Sequence, residues 1–125
     1  MTPIDSVTTF LRLVEERRLD EASRYLAPGV EIVFPGGRRF ADLDEQVAAS
    51  QGRYRSIRKV FERFDVVTSG DTVIVYVSGL LEGEDLAGRP FSSVRFIDRL
   101  ELLDGLIVKH HVWNDLSEQL RQAND

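Results

Sequence analysis

The stretch Phe91–Asp115, FSSVRFIDRLELLDGLIVKHHVWND, decides the fold, because it reads as two long β-strands turning back on each other at Asp104-Gly105. Side chains alternate along a strand, so one face of the first arm carries Val94, Phe96, Asp98, Leu100 and Leu102, and the other Arg95, Ile97, Arg99, Glu101 and Leu103. Asp98 is the exception on an apolar face, where a carboxylate without a partner is costly to keep from water. The more apolar set on the second arm is Leu106, Val108, His110, Val112 and Asn114. That choice turns His110 inward and leaves Ile107, Lys109, His111 and Trp113 outside.

Register decides whether acid and imidazole meet. A three-residue loop, Leu103-Asp104-Gly105 with Gly105 left-handed, sets Leu102 against Leu106 and Asp98 directly opposite His110. A strict two-residue turn at Asp104-Gly105 would set Asp98 against His111 instead. The first is preferred, because it keeps both apolar faces on one side of the sheet. The expectation is an inward Asp98 and His110 pair on a concave apolar surface.

The rest of the chain supplies what such a hairpin packs against. At 125 residues it has the length of one domain, taken as 1–125, with enough chain to bury a core. Ile4, Val7, Phe10 or Leu11, and Val14 trace a first helix to about Glu16. A shorter second helix begins near Asp20, turns Ala22 and Leu26 inward, and stops before Pro28-Gly29. Val30–Phe34 is a strand ended by Pro35-Gly36-Gly37. Phe40–Lys59 reads as the longest helix, with Asp42 as cap, Glu45 three residues on, and Leu43, Val47, Tyr54, Ile57 and Phe61 along one stripe, although Gly52 weakens its middle. Strands follow at Asp65–Ser69 and Thr72–Glu82, then a polar loop, Glu82–Arg89, before the hairpin. Asp115–Gln122 closes the chain as a short amphipathic helix carrying Leu116 and Leu120.

Composition excludes several classes of function. No apolar run approaches the roughly 20 residues that span a bilayer. The N-terminus lacks the basic-then-apolar layout of a secretion signal, so a cytoplasmic location is expected. There are no cysteines, and two adjacent histidines without a spaced third ligand give no metal site. A net charge of −5 argues against nucleic acid as a partner. The local basic run Arg53, Arg55, Arg58, Lys59 and Arg63 is read as a solvated helix face. The segment VIVYVSGLL is apolar on both faces and needs cover on both. A second subunit over the outer sheet face, meeting Trp113, Ile97 and one face of 73–81, is the expected cover, which makes the chain a homodimer.

The opening helical hairpin FLRLVEERRLDEASRYLAPGVEIVFPGG, the strand GDTVIVYVSG and the closing DGLIVKHHVWND together resemble the nuclear transport factor 2-like superfamily, in its SnoaL-like and ketosteroid-isomerase-like branch. The resemblance covers nearly the whole chain. It implies an α+β fold in which a curved, mixed or antiparallel sheet wraps three N-terminal helices as a cone-shaped α+β barrel, with a short C-terminal helix. Ketosteroid isomerases of this fold use an aspartate base, a tyrosine and an aspartic acid. Their positions fall here on Phe34, Phe10 and Asp98. SnoaL-like cyclases carry a histidine and an acid on the closing strand, which fall on His110 and Val112. Only Asp98 and His110 keep the matching chemistry.

Those two residues are accordingly the candidate catalytic pair. Tyr54, Asn114, Phe10, Phe34, Phe96 and Val112 are the candidate lining of a pocket for a small apolar molecule. The expected activity is cofactor-independent acid–base chemistry, an isomerisation, cyclisation or hydration, on a carbonyl- or ring-bearing ligand. A non-catalytic ligand-binding domain and a dimeric adaptor remain open. So does a purely structural role for the pair. Tyr54 has an alternative place in the core, and Asn114 an alternative use as the cap of the last helix.

Overall fold

Thr2 and Asp5 exchange side-chain and backbone hydrogen bonds in a capping box that starts the first helix, α1 (Pro3–Glu15). The computed structural model describes residues 1–123. From α1 the chain runs through α2 (Leu19–Ser23), β1 (Leu26–Phe34), a 3₁₀ turn at Pro35–Gly37, β2 (Arg38–Phe40) and α3 (Leu43–Ser50). It then lays down β3 (Tyr54–Ser69), β4 (Thr72–Asp85), β5 (Pro90–Leu103) and β6 (Leu106–Asn114), and ends in α4 (Leu116–Ala123).

The six strands form one curved, unclosed sheet in the order β2-β1-β6-β5-β4-β3. Only β1 and β6 are parallel; the other neighbours are antiparallel. The three N-terminal helices pack in the concave face, as the α+β reading expects. Val7 and Phe10 of α1, Val75 and Val77 of β4, Leu100 of β5 and Ile107 of β6 are all but inaccessible in this core. Burying each of these side chains contributes about 1.5–3 kcal/mol.

Bulges give the sheet its curvature. Arg55 and Glu62 are each an extra residue on β3, and close to them Gly83 and Gly79 of β4 pair with Ile57 and Phe61. A Cβ at Gly79 would stand 2.0 Å from the carbonyl oxygen of Val60, and one at Gly83 2.1 Å from that of Ser56, so only glycine lets the strands close there. Ser93, with φ of 60°, is the extra residue of β5.

Three expectations are corrected. The helix expected over Phe40–Lys59 ends at Ser50, and Tyr54–Lys59 belongs to β3. Apart from Arg53, which precedes it, the basic run therefore lies on an edge strand, not a helix face. In the β5–β6 hairpin, Asp104 and Gly105, at φ of 53° and 81°, form a two-residue turn, so Leu103 faces Leu106. A bulge at Val108 then shifts the register, placing Asp98 opposite Val112 and Leu100 opposite His110. The bulge explains the outcome. Ile107, not Leu106, is buried, yet His110 and Val112 still turn inward.

His111 turns outward and pairs with Glu31 at 2.8 Å. Hydrogen bonds from Arg39 first, and His111 second, pull that carboxyl down to about 2. Ile97 and Trp113, a cross-strand pair, are 38% and 50% exposed on the same face. No helix among the described residues is long and apolar enough to cross a membrane.

Candidate functional site

Asp98 and His110 project from neighbouring strands to the concave side, diagonal to each other across the β5–β6 ladder. Diagonal neighbours lie within reach of a long or aromatic side chain. Here His110 Nε2 stands 3.0 Å from Asp98 Oδ2. Asp98 is 0% exposed and His110 3%. Edge-on contacts with Phe10 and Phe34, at ring separations of 5.7 and 6.2 Å, fix the imidazole from two sides.

A third group completes the cluster. Lys59, on the inward side of β3, brings its Nζ to 3.5 Å from the same Oδ2, passing over the ring of Phe96. Its position is set from α1. Because β3 is an edge strand, the backbone of Lys59 has no strand on its outer side. Glu15 accepts the Lys59 N–H at 2.7 Å, and Arg12, itself paired with Glu15, donates to the Lys59 carbonyl at 2.9 Å.

Burial alone would push the Asp98 carboxyl up, but the Lys59 ammonium and the His110 hydrogen bond outweigh it and hold the group below the usual carboxylate range. An ionised carboxylate only accepts hydrogen bonds, so Nε2 of His110 carries the proton. In a neutral ring, Nδ1 is then a bare acceptor. Among the described residues, Nδ1, Asp98 Oδ1 and Gln46 Oε1 are the buried side-chain atoms without a partner.

Above the cluster lies a hollow of two adjoining lobes, of about 50 and 60 Å³. Both are walled by Phe34, Gln46, Tyr54 and Lys59. His110 and Glu15 line one, the histidine lobe; Arg38, Arg53, Val112 and Asn114 line the other, the arginine lobe. Typical ligand sites enclose roughly 300–1,000 Å³. The hollow therefore seats only a few heavy atoms of a ligand unless a wall side chain moves.

Residues 7–110 match the family of SnoaL-like domains. The chain belongs to that family. No functionally curated protein sequence matches it. Its fold is shared by a nuclear-transport-factor-2-like protein of unknown function from Burkholderia pseudomallei, at a TM-score of 0.76 and 20% identity over 94% of each chain. It is shared also by TerC, solved with polyporic acid, at a TM-score of 0.76 and 17% identity over 98% of each chain. IdmH from Streptomyces antibioticus, described as a candidate polyketide cyclase, has a TM-score of 0.71 and 20% identity over 100% of each chain.

In this SnoaL-like domain the residues singled out from sequence fall into two groups. Phe34, Tyr54, His110, Val112 and Asn114 wall the hollow. Asn114 also accepts the Leu116 N–H with its side-chain oxygen and so helps to start α4. Asp98 lies behind Lys59 and His110, outside the lining, where it acts on the hollow through both. Phe10 and Phe96 are core residues packed against His110 and Lys59 and do not wall this hollow, contrary to the expected lining. Lys59, Gln46, Arg38 and Arg53 are site residues that the sequence reading missed. The signal for Lys59 was present: in Ile57-Lys59-Phe61 a charged residue interrupts an apolar strand face, as Asp98 does in Phe96-Asp98-Leu100.

No group of three or more His, Cys, Asp or Glu side chains able to hold a metal occurs among the described residues. What the SnoaL-like domain does offer is an imidazole oriented by a buried carboxylate, with an ammonium in the same wall.

Proposed function

We propose that this SnoaL-like domain is a small-molecule enzyme that moves a proton on a carbon beside a carbonyl group. The observation that carries this reading is the tie between His110 Nε2 and buried, ionised Asp98, which leaves Nδ1 unpartnered in a side chain that walls the hollow. A carboxylate that holds one ring nitrogen protonated makes the other a better base.

His110 Nδ1 takes the proton from the carbon, the C–H electron pair moves into the adjoining C–C bond, and the carbonyl π pair moves onto oxygen. The resulting enolate oxygen needs positive charge, and Lys59 supplies it from a position on both lobes. Where a C=C bond is conjugated with the enolate, returning the proton from His110 to its far carbon completes an isomerisation. Attack of the enolate carbon on a second carbonyl, whose π pair moves onto its oxygen and takes the proton from His110, completes a cyclisation. Phe10 and Phe34 stand where ketosteroid isomerases carry their tyrosine and their base, so here the proton rests with His110.

The test is exchange of α-protons for deuterium in a panel of small ketones, keto acids and 1,3-dicarbonyl compounds, followed by NMR. His110→Gln is expected to slow enzyme-dependent exchange by about 10²-fold or more, the usual contribution of a positioned base. Exchange by His110→Gln at the wild-type rate would remove His110 from the reaction. A wild-type protein that binds a ligand and returns it without exchange would instead be a binding domain.

A further inference from the structure

The arginine lobe has an unusual charge balance. Its charged members are Arg38, Arg53 and Lys59, and no carboxylate lines it, in a chain that carries 21 acidic and 16 basic residues. Lys59 is paired with Asp98 at 3.5 Å. The two arginines are not. Among the described residues neither makes an ion pair; Arg53 donates to Ser117 Oγ at 2.7 Å, and Arg38 lies 5.8 Å from the centre of the Phe40 ring. Burial first, and the charge of Arg38 second, lower the affinity of Arg53 for its proton.

Two guanidinium groups gathered on one wall without a counter-charge repel each other, and an anion between them removes the repulsion. Gln46 in the same wall, 7% exposed, has an Oε1 unpartnered among the described residues, which accepts and so cannot bind a carboxylate; the donors to an acid group are the two arginines. Planar guanidinium forks match planar carboxylates, to which they donate two parallel hydrogen bonds. Phe34, Phe40 and Tyr54 in the same wall suit an apolar body next to the acid group.

We infer that the arginine lobe is a carboxylate subsite, in which Arg38 and Arg53 hold the acid group of an otherwise apolar substrate. The part that points its carbonyl toward Lys59 and His110 rests on the proton-transfer reading above; the subsite itself does not. The subsite defines the substrate class as an unsaturated or aromatic carbonyl acid rather than a neutral ketone. Lys59, shared by both lobes, marks the side on which the reacting carbonyl sits.

The experiment is calorimetric titration of the full chain with butyrate and benzoate, with butyramide and benzamide as neutral matches, and with inorganic phosphate, at low and high salt. The acids are expected to bind at least about tenfold more tightly than the amides, with affinity falling as salt rises. Arg38→Gln and Arg53→Gln should each weaken the acids about tenfold and leave the amides unchanged. Arg53 also holds Ser117, so where Arg53→Gln lowers the melting temperature, exposed Arg38 carries the test. Acids that bind no better than amides, acid binding indifferent to both arginine variants, or no acid binding at all would overturn the subsite. Binding of phosphate with no binding of either acid would overturn it as well. Arginine-dependent acid binding without any α-proton exchange would sink the proton-transfer reading and leave the subsite standing.

Discussion

Asp98 holds a full charge at 0% exposure, which is tolerable only because Lys59 and His110 both reach one of its oxygens. Replacing it by the isosteric asparagine keeps the shape and removes the charge, leaving an ammonium beside an uncharged amide. Asp98→Asn is therefore expected to cost about 3 kcal/mol in urea unfolding. Combined with Lys59→Met, the loss should be smaller than the sum of the two, since the second change removes the group stranded by the first. The pH dependence has a definite sign. The folded-state pKa of Asp98 is lowered, so the unfolded chain takes up the proton first. The Asp98 contribution is then complete above about pH 5 and is lost as pH falls through the ordinary carboxylate range toward the lowered folded value. Acid titration of unfolding should show wild type and Asp98→Asn separated by a constant gap at neutral pH and converging below about pH 4. A gap that widens in acid would mean that the carboxyl is protonated in the fold.

At the scale of elements, bulges decide which side chains reach the site. On β3 the inward residues are Ile57, Lys59 and Phe61 between the extra residues Arg55 and Glu62, and β4 accommodates those extras with Gly83 and Gly79. Gly79→Ala would push a methyl group into backbone that cannot swing away. It should destabilise by about 1–3 kcal/mol, as overpacking does, and flatten the curl that aims Lys59 at Asp98. Chemical denaturation gives the first effect, and loss of any His110-dependent exchange the second. The same bulges explain what sequence could and could not show. Asp98 and His110 were legible because simple alternation runs uninterrupted through Phe96-Asp98-Leu100 and His110-His111-Val112. Tyr54, Ile57 and Phe61, spaced three and four apart, imitate a helical stripe; the three-residue step comes from the bulge at Arg55, and the four-residue step is two turns of strand alternation. Leu43 and Val47 made the imitation convincing because their own spacing is helical. Lys59 was hidden inside that misreading, and with it half of the hollow. The hairpin register failed for the same reason: a bulge at Val108 is invisible in a pattern of apolar residues that fits either side of it.

For the molecule as a whole, an unclosed sheet leaves two edges, and they are unequal. β2 is three residues long, too short to template another strand, whereas β3 runs for sixteen. Its protection is written in the basic run that first looked like a helix face. Arg55, Arg58, Glu62 and Arg63 are exposed along it, two of these residues are themselves bulges, and Arg12 with Glu15 occupies the backbone of Lys59. Charged side chains on an edge cannot be buried against an approaching strand without losing their water, and bulges break the even spacing that a second ladder needs. Arg58 has no ion pair among the described residues, and Val60 beside it is already 39% exposed. Replacing both flanking charges, Arg58→Val with Glu62→Val, would join Val60 into an apolar outer strip in a segment of high strand propensity. The double variant is expected to keep the wild-type melting temperature, since nothing buried is touched, and to aggregate faster than wild type by light scattering at equal concentration. Unchanged solubility would assign the protection of this edge to its two bulges and to the cover from α1, and Arg12→Ala, which uncovers the Lys59 carbonyl, would then be the variant that aggregates.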